Sequence, residues 1–240
     1  MTSHSILDLS VKIFADGAEK SGMLEMYGKP YIKGFTTNPT LMRKSGITDY
    51  KAFALDILQA IPDRPISLEV FSDDLIEMKR QALTIAEWGK NVYVKIPVSN
   101  TLGHPTYDII HDLSEQNVHL NITAVMTLKQ VQYISPALGP NTSSIISIFA
   151  GRIADTGVDP VPHMSEALKI MKPFTNQELI WASPREVLNI FQANEIGCHI
   201  ITVTNDILKK LELFGKDLDE YSLDTVKMFR NDALKAGYDL

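Results

Sequence analysis

The sequence predicts an α/β protein: one domain over 1–240, built as a single closed (β/α)8 barrel of the TIM type, with 215–240 as an extra C-terminal helical extension. Three observations carry this expectation. Apolar, β-branched runs recur along the chain. Each is followed by a stretch in which apolar residues return at helical spacing. Several of those stretches open on a residue able to cap a helix. Strand followed at once by capped helix is the pattern of a parallel sheet, and eight such units favour closure into a barrel. An open doubly wound sheet is the alternative, weakened by the lack of a Gly-rich fingerprint after the first strand.

The candidate strands are V-K-I-F-A (11–15), I-K-G-F-T-T (32–37), I-S-L-E-V (66–70) and V-Y-V-K-I-P-V (92–98). Four more follow: H-L-N-I-T-A-V (119–125), S-I-I-S-I-F-A (144–150), E-L-I-W-A (178–182) and H-I-I-T-V (199–203). Between them, Leu75, Met78, Ala82, Ile85 and Ala86 illustrate the helical spacing. Ser72, Thr127, Ser183 and Thr204 are the expected caps. Beyond Gly215, Leu223, Val226, Phe229 and Leu234 stripe a further helix of about Ser222 to Ala236. It lies outside the eight repeats and is expected to cover the barrel mouth or dock on a neighbouring subunit of a homo-oligomer.

The chain has 240 residues, 45% hydrophobic and 22% charged, enough for one large core. Its formal net charge of −6, without a basic run, argues against nucleic acid and anionic membrane as partners. An anionic substrate therefore needs a local cationic pocket. The single cysteine, Cys198, leaves no internal disulfide and fits a reducing compartment. Its apolar neighbours make it a small buried hydrophobe rather than a reactive thiol. The first residues lack a basic stretch followed by a long apolar one, and no spanning helix is expected. The expectation is a cytoplasmic protein. Histidines at 4, 104, 111, 119, 163 and 199 form no H-x-H or H-E-x-x-H pattern, so neither a catalytic metal nor another cofactor is expected.

Lys95 is the residue that most needs explaining. A lysine inside an apolar strand loses its hydration, and burial favours the neutral amine. A neutral, desolvated amine attacks carbonyls, which makes Lys95 a candidate Schiff-base residue. The plainer readings are snorkelling from a strand end or pairing with a buried carboxylate.

In a barrel, chemistry gathers where strands end. Strand one ends at Asp16, and strand two at Thr36, Thr37 and Asn38. Strand three carries Glu69, strand four Lys95, and strand five Asn121 and Thr123. Strand six offers Ser147 and then Arg152, and strand seven ends at Ser183. An amine, two carboxylates, hydroxyls, amides and an arginine suit carbonyl chemistry through an imine. Each has a plainer use. Asp16 and Asn38 can cap helices, Thr123 is an ordinary strand residue, and Arg152 and Asp155 have the spacing of a surface pair. S-P-R-E at 183–186 reads as a capping box with Pro at the first helical position. That same helix start, with Arg185 beside it, is also a phosphate site.

Five segments together resemble the transaldolase family and its small relatives, the fructose 6-phosphate aldolases. They are G-F-T-T-N-P-T-L (34–41), V-Y-V-K-I-P-V (92–98), N-I-T-A-V (121–125), S-I-F-A-G-R-I-A-D-T-G-V-D-P (147–160) and W-A-S-P-R-E (181–186). The resemblance runs from Asp16 to about Leu213. It implies that Lys95 attacks the ketone of a ketose phosphate donor, with an aldose phosphate as acceptor, and that Asp16 takes the hydroxyl proton whose loss breaks the carbon–carbon bond. Glu69 with Thr123 positions the water of proton transfer. Asn38 and Asn121 hold substrate hydroxyls and orient Lys95, with Ser147 alongside. Arg152, Ser183 and Arg185 form the phosphate grip.

The aldolase subgroup carries Gln at the position of Glu69 and Tyr at that of Phe149. Glu69, Phe149 and Asn121 match the transaldolases, so the resemblance favours transfer over simple cleavage. The loop after Ser183 is shorter than in most relatives, which frees two of the phosphate ligands to sit differently. The alternatives are an aldolase-like lyase, a related enzyme of a dedicated sugar-assembly pathway, and a barrel that binds a sugar phosphate without turnover. A pure binder has no use for a buried amine.

Overall fold

The structure, a computed structural model, describes residues 8–239. The N-terminal segment read for a targeting signal lies almost wholly outside them. All eight strands are present, in one closed parallel barrel in chain order, with β8 returning to β1. They are β1 Lys12–Asp16, β2 Ile32–Thr36, β3 Ile66–Glu69, β4 Val92–Pro97, β5 Leu120–Val125, β6 Ser144–Ile148, β7 Gln177–Trp181 and β8 Ile200–Thr204. Each differs from its expected span by one or two residues at one or both ends.

The first helices are α1 Lys20–Tyr27, α2 Pro39–Lys44, α3 Tyr50–Ala60, α4 Leu75–Ala86, α5 Tyr107–Glu115 and α6 Leu128–Ala137. The rest are α7 Ala150–Asp155, α8 Pro160–Met171, α9 Leu188–Glu195, α10 Asn205–Lys209 and α11 Leu218–Ala236. Two crossovers, β2 to β3 and β6 to β7, thus carry two helices each. The helices up to α10 surround the barrel, and α11 lies beyond them. Strand residues that face outward meet the helices in a continuous apolar layer; Ile32, Phe35, Leu68, Val94, Ile122, Ile146, Leu179 and Trp181 are fully buried there.

Inside the barrel a smaller cluster of Phe14, Ile145, Ile180, Ala182 and Ile200 forms an apolar floor. Gly34 makes room for it: a Cβ on Gly34 would lie 2.5 to 2.8 Å from the Phe14 ring. The residue two further along each strand faces the same interior, one layer higher. That spacing lifts Asp16, Thr36 and Thr202 above the floor. Cys198 is buried as expected, and burial pushes its thiol up to about 12.

The caps differ from the sequence reading in part. Thr127 forms the full capping box with Gln130. Asp74, not Ser72, caps α4, because its carboxylate accepts from Glu77 N while Ser72 serves the preceding turn. Thr204 precedes α10 but makes no side-chain cap bond. The expected helix start at Ser183 is overturned. Ser183 sits at φ +60°, a left-handed conformation that cannot lead straight into a helix, and α9 begins only at Leu188. The intervening turn is closed by Asn189, whose Oδ1 accepts from the backbone N–H of Arg185 and Glu186.

The C-terminal helix is longer than expected. Asp217 caps it by accepting from Asp219 N and Glu220 N, and Gly237 ends it at φ +68°. None of its residues is buried, and Val226, Phe229 and Leu234 are 60 to 64% exposed. It therefore does not cover its own barrel mouth. Among the described residues no helix is long and apolar enough to cross a membrane.

Candidate active site

The carboxyl ends of the strands surround a cavity of about 610 Å³. Asp16, Asn38, Glu69, Lys95, Thr123, Ser147, Phe149, Arg152, Ser183 and Arg185 line it. These come from seven of the eight strands and the segments that follow them, and only closure of the barrel brings them together.

Lys95 is 6% exposed. Its Nζ lies 2.9 Å from Glu69 Oε2 and donates to the Thr37 carbonyl at 2.8 Å. Register explains the first contact, because Glu69 and Lys95 are paired neighbours on β3 and β4. An amine discharged by burial alone was the expectation; the structure instead gives the lysine a carboxylate and a carbonyl within hydrogen-bond reach. The plainer reading, pairing with a carboxylate, is thus correct as geometry.

Asp16 closes the other side. Burial pushes its carboxyl above the usual carboxylate range, and the Lys95 ammonium and the Thr36 hydroxyl draw it part of the way back. Thr36 Oγ1 donates to Asp16 Oδ1 at 2.7 Å. A carboxyl so raised holds a proton more readily than an ordinary aspartate.

Asn121 departs from its expected place. It is fully buried, and its amide donates to Ser67 Oγ at 3.0 Å while accepting from Ser147 Oγ at 2.7 Å. It therefore ties β3, β5 and β6 together inside the barrel, one layer below Thr123, and reaches the site through Ser147. Asn38 does two things: it lines the cavity, and its Oδ1 caps α2 by accepting from Leu41 N at 3.0 Å. Thr123 Oγ1 is buried with no hydrogen-bond partner among the described residues. A buried hydroxyl left unsatisfied is costly, so it marks a place for water or substrate. Ala124, the next residue, is at φ +60°, where the β5–β6 register shifts. That bulge carries the strand end into the cavity wall.

The cationic wall is assembled from the start of α7 and the turn after β7. Gly151 N donates to Ala182 O at 3.3 Å, and a Cβ on Gly151 would fall 1.5 Å from Ser183 O. Only glycine permits this approach. It brings α7, which carries Arg152, against the turn after β7, which carries Arg185, and both arginines line the cavity. The Arg152 guanidinium stands over the Phe149 ring, 5.4 Å from its centroid. Asp155 does not pair with Arg152, as the spacing had suggested; it holds Arg185 in a two-point ion pair. Ser67, Thr202 and the Thr37 carbonyl were missed as site groups in the sequence. The first two stand two residues before Glu69 and Thr204, so alternation along β3 and β8 was the available signal.

The match to known proteins follows this geometry. The family described as Transaldolase/Fructose-6-phosphate aldolase matches residues 13–240. The chain belongs to that family. It is 33% identical over 202 residues to a probable transaldolase of Dehalococcoides mccartyi, covering 84% of this chain and 90% of that protein. It is 30% identical over 228 residues to a probable transaldolase of Thermoanaerobacter sp., covering 95% and 99%. Among solved structures, dihydrodipicolinate synthase from Rhodopseudomonas palustris has a TM-score of 0.55 at 14% identity, over 89% of this chain and 79% of that one. A HpcH/Hpal aldolase/citrate lyase family protein from Burkholderia cenocepacia has 0.58 at 13%, over 92% and 97%. These two likenesses concern the barrel fold alone. Membership of the transaldolase/fructose-6-phosphate aldolase family makes an enzyme acting on sugar phosphates the coarse assignment. Among the described residues no group of three or more His, Cys, Asp or Glu is placed to hold a metal ion.

Proposed function

We propose that the protein is a transaldolase that moves a dihydroxyacetone unit from a ketose phosphate to an aldose phosphate through a Schiff base on Lys95. The observation that carries this is the shared cavity in which Lys95 contacts Glu69 at 2.9 Å and faces Asp16. The Lys95 amine, after giving a proton to Glu69, adds to the donor ketone. Loss of water leaves a protonated imine. Asp16 removes the proton of the hydroxyl on the carbon beyond the scissile bond; that bond breaks, an aldehyde leaves, and the electron pair enters the imine to give an enamine. An acceptor aldehyde then reverses these steps. Phosphate on either sugar meets Arg152 and Arg185, which offset the chain's negative charge locally.

Glu69 and the unpartnered Thr123 hydroxyl are the pair that would hold a water for proton transfer at the imine. Phe149 adds no hydroxyl there, so the enamine is protonated slowly and survives until an acceptor arrives. The lyase reading and the dedicated sugar-assembly pathway differ from this one in the fate of the enamine and the identity of the sugars, not in the imine. The bare stripe of α11 supports a homo-oligomer, and the reaction uses soluble sugars in the cytoplasm.

Two measurements test the reading. Borohydride added with fructose 6-phosphate is expected to fix a covalent adduct on Lys95, and Lys95→Met to show none. Turnover is expected to need an acceptor aldehyde. Release of dihydroxyacetone at the same rate without acceptor would assign the lyase instead, and absence of any adduct would remove the Schiff base.

A further inference from the structure

One buried hydroxyl near the reaction centre has no part in the mechanism above. Thr202 on β8 is 6% exposed and lines the cavity. Its neighbour in register on β1 is Phe14, two residues before Asp16. Across β1, its Oγ1 makes a short hydrogen bond with Thr36 Oγ1 on β2, and Thr36 Oγ1 donates to Asp16 Oδ1 at 2.7 Å.

The direction of this chain follows from counting hydrogens. A threonine hydroxyl has one hydrogen and two lone pairs. The hydrogen of Thr36 is spent on Asp16, so in its contact with Thr202 it can only accept. Thr202 must therefore donate. We propose that Thr202 is a positioning residue for Asp16: acting through Thr36, it orients a line of donors that holds Oδ1 of the carboxylate and leaves Oδ2 to take the substrate proton. The inference rests on the reading of Asp16 as the base.

The surroundings make such a line useful. Burial opposes the Asp16 charge most strongly, and Glu69 on β3 adds to that opposition. Lys95 on β4 favours the charge, but Lys95 is also held by Glu69 and becomes an imine during turnover. Asp206 on α10 and the two arginines on the far wall line the same cavity. Thr36 is the neutral donor that stays in place whatever happens to the lysine. A hydroxyl that itself accepts a hydrogen bond is polarised into a better donor. With the Thr202 hydroxyl replaced by a methyl, the Thr36 oxygen loses its incoming bond and its hydroxyl gains freedom to rotate away.

The test compares Thr202→Val, which keeps the shape and removes the hydroxyl, with Thr202→Ser, which keeps the hydroxyl. Asp16→Asn serves as the reference for the base. Each is followed by thermal midpoint, borohydride trapping, kcat and KM across pH, and carbon NMR titration of the Asp16 carboxyl. Thr202→Val is expected to fold and trap donor normally, with KM within about twofold of the wild type. Its kcat below neutral pH should fall about three- to tenfold, with the acid limb and the Asp16 titration moving up by about half to one pH unit. Thr202→Ser should recover most of both. An unmoved Asp16 titration in Thr202→Val, or a Thr202→Ser as defective as Thr202→Val, would overturn the proposal. Asp16→Asn is expected to trap donor without cleaving it. If it cleaves normally, the base assignment fails separately, and the NMR titration alone still decides whether Thr202 acts on Asp16.

Discussion

Lys95 shows how much one side chain asks of its neighbours. It is covered by protein, so its ammonium must be satisfied locally, and Glu69 and the Thr37 carbonyl do this. Removing one member of a buried pair leaves the other uncompensated. Lys95→Met is therefore expected to cost about 3–5 kcal/mol of stability at pH 8, on top of abolishing the imine. Burial already pushes the Asp16 carboxyl up, and without Lys95 it loses a charge that draws it back, so it binds a proton more tightly folded than unfolded and stability should recover as the pH falls; denaturant melts at pH 8 and pH 5 check this. The two arginines should differ. Arg185 already has Asp155 as a partner, whereas Arg152 rests on a phenyl ring. Arg152→Ala should raise KM for a phosphorylated donor about 10- to 1,000-fold and leave dihydroxyacetone nearly unaffected. Equal losses on both substrates would make Arg152 structural. Phe149→Tyr places one hydroxyl at the cavity wall. It should lower transfer and raise acceptor-free release, with a change of 1–2 kcal/mol shifting the partition about 5- to 30-fold. Loss of transfer with no gain in release would reduce the ring to packing.

Among the elements, the junction of α7 with the end of β7 carries the phosphate wall. The contact is backbone to backbone, and Gly151 is the residue that allows it. Gly151→Ala forces the Ser183 carbonyl aside and should cost about 1–3 kcal/mol, the usual range for overpacking. KM for phosphorylated donors should rise with it, because Arg152 and Arg185 move apart. A variant with normal stability and KM would show that the 182–185 turn yields freely. This junction also explains why the sequence misled at Ser183. S-P-R-E has the composition of a helix start, but the chain must turn back past Gly151 there, and tertiary contact prevailed over local propensity. Ser72 misled for a smaller reason: Asp74, two residues on, supplies a carboxylate that serves the helix N-terminus directly.

For the whole molecule, the barrel closes without α11, which stands off with its apolar residues in solvent. A helix that buries nothing within its own chain has little reason to persist unless it packs elsewhere. Truncation after Gly215 is expected to lower the mass measured by light scattering to that of a smaller assembly or a monomer, with the barrel still folded. A wild-type chain that is already a monomer, equally soluble with and without the helix, would remove the oligomer. The architecture itself was legible in the sequence because eight strand–helix units each repeat a period that any parallel barrel needs, and that periodicity is local. Lys95, Glu69 and Asp16 were legible for a related reason: charged residues at the ends of apolar strands are conspicuous wherever the strands go. What the sequence could not state is distance. That Glu69 meets Lys95, that Asn121 lies a layer below the mouth, that Asp155 chooses Arg185 over Arg152, and that Thr202 reaches Asp16 through Thr36 all depend on how separate strands and the segments after them are set against one another. Register is set when the barrel closes and its interior packs, so only the tertiary structure decides which of the polar residues brought to the mouth actually touch.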